Sequence, residues 1–113
     1  MMLSVNNHNF SHVVLESPNP VLVNFWAPWC GLCLLINPFL HKIQNEWDGP
    51  LEVVSINADQ NFQLANTYRL KNLPTLILFN EGKIIHRIEE IKGRDELIQQ
   101  LHCVKVNSLP KSA

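Results

Sequence analysis

The chain has 113 residues, with nine basic and ten acidic side chains and a formal charge of -1 at pH 7. That length suits one compact domain, and a hydrophobic share of 46% supports a packed core and argues against disorder. The balanced charge lacks the basic footprint of nucleic-acid binding, no apolar run approaches a membrane span, and Met1 to His8 lack a basic region and a hydrophobic targeting core. A soluble, cytoplasmic protein with no nucleic-acid or membrane partner is therefore expected.

Leu3 to Val5 reads as a short edge strand. Asn9 to Leu15 reads as a helix capped by Asn9, with Phe10, Val13 and Val14 on one face. Pro18 and Pro20 then break the chain. Val21 to Trp26 is nearly continuous in apolar residues, as central strands covered on both sides are. Cys30 to Trp47 reads as a helix burying Leu34, Leu35, Phe39, Leu40, Ile43 and Trp47, with a kink at Pro38 and a stop at Asp48-Gly49-Pro50. Leu51 to Ile56 is a second apolar strand and Asn61 to Tyr68 a shorter helix. Thr75 to Phe79 is a strand that turns through Asn80-Glu81-Gly82-Lys83 into a partner, Ile84 to Ile88. A final helix is expected from about Arg94 to His102. This order describes an α/β fold, a central mixed β-sheet flanked by helices on both faces. No repeat or linker divides the chain. Residues 1–113 are expected as a single domain, with a core at about 3–102 and a short polar C-terminal tail.

Three cysteines are too few for a disulfide-stapled secreted fold. Cys30 and Cys33 lie two residues apart where a buried strand passes into a helix. Unpaired helix N–H groups there can stabilise a Cys30 thiolate, and Cys33 sits one turn inside. Thiol–disulfide exchange needs that pairing, one thiol to attack and one to resolve. Zinc needs about four ligands, and Cys103 and His41 are badly spaced to supply them, so no metal is expected. Cys103 reads as a bystander thiol. Trp26 and Trp47 read as core aromatics, and Trp29 as an aromatic facing substrate. Asp59 reads as a cap for the helix near Asn61. Lys83, Arg87, Glu89 and Lys92 read as a solvated face.

With Val23 to Cys33 in place, followed by Pro38, Asn57-Ala58-Asp59, Leu73-Pro74-Thr75 and Phe79 to Gly82, the sequence closely resembles the thioredoxin family over roughly residues 3 to 102. The resemblance implies the thioredoxin fold and protein-disulfide exchange with no bound metal or organic cofactor. It makes Cys30 the nucleophile and Cys33 the resolving thiol. Trp29, Leu32, Leu73, Pro74 and Glu90 would contact substrate, with Pro74 cis and the backbone before it free to pair with an extended segment. Implied partners are protein disulfide substrates and a thioredoxin-type reductase, with the chain itself a monomer.

Four residues depart from the family pattern. Asn24 stands where the family usually has a buried Asp able to take the proton of Cys33, and an amide cannot do that. Ser55 stands where many members pair that Asp with a Lys, so both charges of a buried pair are missing together. Leu32 replaces the proline of Cys-Gly-Pro-Cys, which restores an N–H at the helix start and predicts a more oxidising couple. Glu90 occupies a place usually held by glycine beside the groove, where a carboxylate narrows it and disfavours the Cys30 thiolate. Two readings follow. One is a thiol–disulfide oxidoreductase. The other is a redox-sensitive binding or regulatory protein with weak general reductase activity. A weaker third, an oxidant or isomerase for misfolded proteins, lacks the secretion signal it would need.

Overall fold

The computed structural model describes residues 3–89, 91 and 95–100. Five strands form one sheet in the order β1-β3-β2-β4-β5: β1 Leu3–Ser4, β2 Val21–Trp26, β3 Glu52–Asn57, β4 Thr75–Asn80 and β5 Lys83–Ile88. The first three run parallel, while β4 and β5 join antiparallel. The sheet is therefore mixed. Central β2 is buried along almost its whole length, which is what its nearly continuous apolar run prescribes. At the far edge, Asn80 pairs with Lys83 around Glu81 and Gly82, both with positive φ. Such a two-residue turn matches the twist of the strands it joins. At Gly82 a Cβ would lie 3.0 Å from the Leu15 carbonyl oxygen, so glycine is required for contact as well as conformation.

Helix α1, Gly31–Glu46, and α2, Phe62–Thr67, cover the sheet, with a 3-10 turn at Ala58–Gln60 and further helical residues at 95–100. Among the described residues, no helix is long and apolar enough to cross a membrane. Two apolar clusters fill the faces. One joins Val21, Val23 and Phe25 to Phe10, Val14, Ile77 and Phe79, and the other joins Leu22, Leu76 and Leu78 to Ile36 and Leu40 of α1. Successive β2 residues alternate between them, as the pleat demands.

Two helices differ from expectation. The first begins earlier. Asn6 Oδ1 accepts from the backbone N–H groups of His8 and Asn9, while Asn9 Oδ1 accepts from the Asn6 N–H at 2.8 Å. That reciprocal pair is a capping box with Asn6 at its head, so Asn9 is its third residue rather than the cap. The segment continues as a π-helical turn, Ser11–Leu15. In α1, Leu34 and Leu35 are exposed, and Cys33, Ile36 and Leu40 form the buried side, with Ile43 and Trp47 packed beside them. Positions 33, 36, 40, 43 and 47 make one stripe at helical spacing, and that stripe alone suffices to cover the sheet. The residues immediately after Cys33 are rotated away from it.

Candidate functional site

Strand β2 ends at Trp26, and a tight passage returns the chain into α1. Cys30 caps that helix: its extended backbone stands just outside, and its Sγ accepts from the Cys33 N–H at 3.2 Å. The two cysteines form a disulfide with Cα atoms 5.3 Å apart. Cys30 keeps 7% of its surface and Cys33 only 1%, so an incoming group meets Cys30 first. The helix start faces its sulfur with unpaired N–H groups, which favours the thiolate once the bond is reduced.

Next to Cys30 in the chain, Trp29 shares one cleft with Asp59 and with the loop that ends at Leu73. Trp29 is 70% exposed, and its indole Nε1–H donates to Asp59 Oδ2 at 2.8 Å. Asp59 therefore holds Trp29 and does not cap a helix. Asn57 caps only the 3-10 turn Ala58–Gln60, its Oδ1 accepting from the backbone N–H groups of Asp59 and Gln60, while α2, with Asn61 at its N-cap, has no side-chain cap bond. The Leu73–Pro74 bond is cis, and the next residue, Thr75, is fully buried with its hydroxyl donating to the Asn72 carbonyl at 2.6 Å. Beside Trp29 an open cleft of about 440 Å³ is lined by Trp29, Asp59, Phe62, Leu70, Lys71 and Leu73. Phe62, 68% exposed, gives it a second aromatic rim. The alternation of the short α2 segment gave no hint that Phe62 would face outward.

Arg87 also differs from the expectation of a solvated face. Its guanidinium donates to the Tyr68 and Arg69 carbonyls and lies 3.3 Å from Glu89. It is a half-buried clamp on the end of α2, where Arg69 turns through positive φ, and not part of a solvated face. The signal was available only in three dimensions, since 18 residues separate Arg87 from Arg69.

Behind the disulfide, the strand register pairs Asn24 with Ser55 on β3 and with Leu76 on β4. Asn24 is 1% exposed, and among the described residues nothing donates to its Oδ1. The Nε1–H of Trp26, two residues on and half-buried, likewise has no acceptor among the described residues. Leu32 is half-buried and packs against the cluster under α1. Glu90, Lys92, His102, Cys103 and the polar tail lie outside the described residues. No group of three or more metal-ligating side chains occurs among the described residues.

A vicinal disulfide-forming pair at a helix start, on a mixed sheet flanked by helices, defines a thiol–disulfide oxidoreductase. The family model described as Thioredoxin matches residues 1–103. A thioredoxin-like protein of Synechocystis is 40% identical over 93 residues, covering 82% of this chain and 89% of the relative. Thioredoxin 1 of Nostoc is 37% identical over 97 residues, covering 86% and 91%. The thioredoxin of Mycobacterium tuberculosis is 38% identical over 105 residues, covering 93% and 90%. The chain belongs to the thioredoxin family.

Proposed function

We propose that Cys30 attacks protein disulfides and that Cys33 completes their reduction. The Cys30 thiolate displaces one substrate sulfur as thiolate, leaving a mixed disulfide. Cys33, once deprotonated, attacks Cys30 Sγ, closes the Cys30–Cys33 bond and releases the second substrate sulfur as thiolate. The substrate gains two electrons and the dithiol loses them. The observation that supports this division of roles is the difference in exposure, 7% for Cys30 against 1% for Cys33. Trp29, Leu32, Leu73, Pro74 and Glu90 form the substrate contact, while Asn24 and Ser55 modulate the resolving step.

The same reading makes the chain a monomeric cytoplasmic electron carrier, one domain over 1–113 with its core at 3–102. A thioredoxin-type reductase regenerates the dithiol, and no cofactor is held. Insulin reduction followed with dithiothreitol, and again with a reductase system, tests this. Cys30→Ser should abolish turnover, and Cys33→Ser should accumulate the mixed disulfide, visible by mass spectrometry. Wild-type inactivity with both reductants would favour the second reading, a redox-gated binding protein. Two observations favour that alternative: no described carboxylate lies under Cys33, and apolar Leu34 and Leu35 are exposed on the same helix.

A further inference from the structure

Helix α1 leaves the end of β2 and packs back over it, which sets Leu22 with Ile36 and Leu40 in one cluster. Asn24 lies on that same face, because it is paired directly with Leu76 of that cluster. It is one pleat closer to the strand end than Leu22. On the covering helix, Cys33 is one turn closer to the helix start than Ile36. Both steps lead toward the disulfide, so Asn24 belongs to the part of the layer that Cys33 seals. Asn24 Oδ1 is the one buried side-chain acceptor among the described residues that lacks a donor, and Ser55, its neighbour on β3, does not supply one.

A buried acceptor without a donor is costly, and Cys33 in the disulfide has no hydrogen to offer. Reduction changes that. A dithiol reductant breaks the Cys30–Cys33 bond, is itself oxidised to a disulfide, and leaves Cys33 as a buried thiol that must place its S–H. Resting on the oxidoreductase reading, we infer that Asn24 is a positioning residue whose Oδ1 accepts the Cys33 S–H in the reduced protein. The amide then acts as a redox-dependent partner. It has no protein donor when the pair is oxidised and gains one when it is reduced, which tilts the couple toward the dithiol. A carboxylate at this position would take the proton away; the amide holds it in place.

Two measurements test this. In a Cys30→Ser, Cys103→Ser background only Cys33 carries an S–H. Its infrared stretching band should lie at the lowered frequency of a hydrogen-bonded thiol, and should move to that of a free thiol when Asn24→Leu is added. In otherwise unaltered protein, Asn24→Leu should shift the equilibrium with glutathione about fivefold toward the disulfide, a midpoint about 20 mV lower. Should Asn24→Leu fail to fold, the wild-type Asn24 side-chain carbonyl carbon still reports, because its NMR resonance should move downfield on reduction. An S–H band indifferent to residue 24, or a carbonyl resonance identical in both redox states, would overturn the inference. Insulin reduction by the wild type is read separately: activity with an indifferent S–H band removes Asn24's role and keeps the oxidoreductase.

Discussion

Along β2, Val21, Val23 and Phe25 point into a cluster whose buried members are all apolar, while on the opposite face Leu22 is followed by Asn24 and Trp26, whose Oδ1 and Nε1 are buried and find no partner among the described residues. One strand thus serves two ends by alternation. The first face maximises burial and aromatic contact. The second gives up hydrogen-bond satisfaction where the sheet runs under the disulfide. A strand leading into a reactive thiol is under both demands, and the pleat lets them be met one residue apart.

The comparison breaks most easily on the apolar face. Phe79 is 1% exposed and meets Phe10 and Tyr68 edge-on, with ring centroids at 5.8 and 5.6 Å. Phe79→Ala should cost about 3–5 kcal/mol in urea unfolding, through lost transfer energy and the cavity left behind. A loss below about 1 kcal/mol would mean that this face is not the stabilising one.

On the other face, Asn24→Asp should cost less, about 1–3 kcal/mol, because the new carboxyl finds Ser55 and Leu76 across the strands and no cation. It should also speed resolution of the mixed disulfide, since a base now sits in the layer under Cys33. Urea unfolding and single-turnover reduction read the two effects separately. A variant as stable as the parent and no faster would show that the missing base is not what limits resolution.

Leu32→Pro sharpens the same contrast at the helix start. It removes the N–H that distinguishes this pair from Cys-Gly-Pro-Cys. The parent midpoint should lie above the value of about -270 mV known for thioredoxin itself, and the variant should fall by about 30 mV, or ~1.4 kcal/mol for two electrons. Leu32 also packs against the cluster under α1. That packing is common to both redox states, so its loss should appear in unfolding and largely cancel in the potential. Equilibration against glutathione decides: an unchanged midpoint in Leu32→Pro would remove the dipeptide from the explanation.

These contrasts were only partly legible in the sequence. The strands along the chain and the hairpin followed from apolar runs and from the Glu81-Gly82 turn, because those signals are local. The cysteine pair was legible for the same reason, and the Asn24–Ser55 pairing followed from the family pattern. What failed was direction within a helix and contact across the chain. Leu34 and Leu35 look like core by composition, yet the stripe through Cys33, Ile36 and Leu40 leaves them outside. Asp59 looks like a cap for α2, but that helix starts without a side-chain cap, and the Asp59 carboxylate accepts from Trp29 instead. Arg87 looked solvated because the carbonyls it holds are exposed to view only once β5 lies beside the end of α2.

The smallest expected effect concerns the single tyrosine, Tyr68, at the margin of the apolar face. Its ring lies 5.6 Å from Phe10, 6.1 Å from Phe25 and 5.6 Å from Phe79, measured between centroids. Burial raises its pKa above the ordinary 10.0, because the phenolate is poorly solvated there. The folded state thus holds the phenol proton more tightly than the unfolded state does. Below pH 10.0 both states keep it and stability is indifferent to this group. As pH rises past that point the unfolded chain releases its proton first, and stability falls until the folded pKa is also passed. Tyr68→Phe keeps the ring contacts and removes the titration. Between about pH 8 and about pH 11 the variant should lose less of its urea midpoint than the parent does. Equal alkaline losses in the two proteins would mean that the hydroxyl reaches water in the folded state, and that the apolar face ends at the ring.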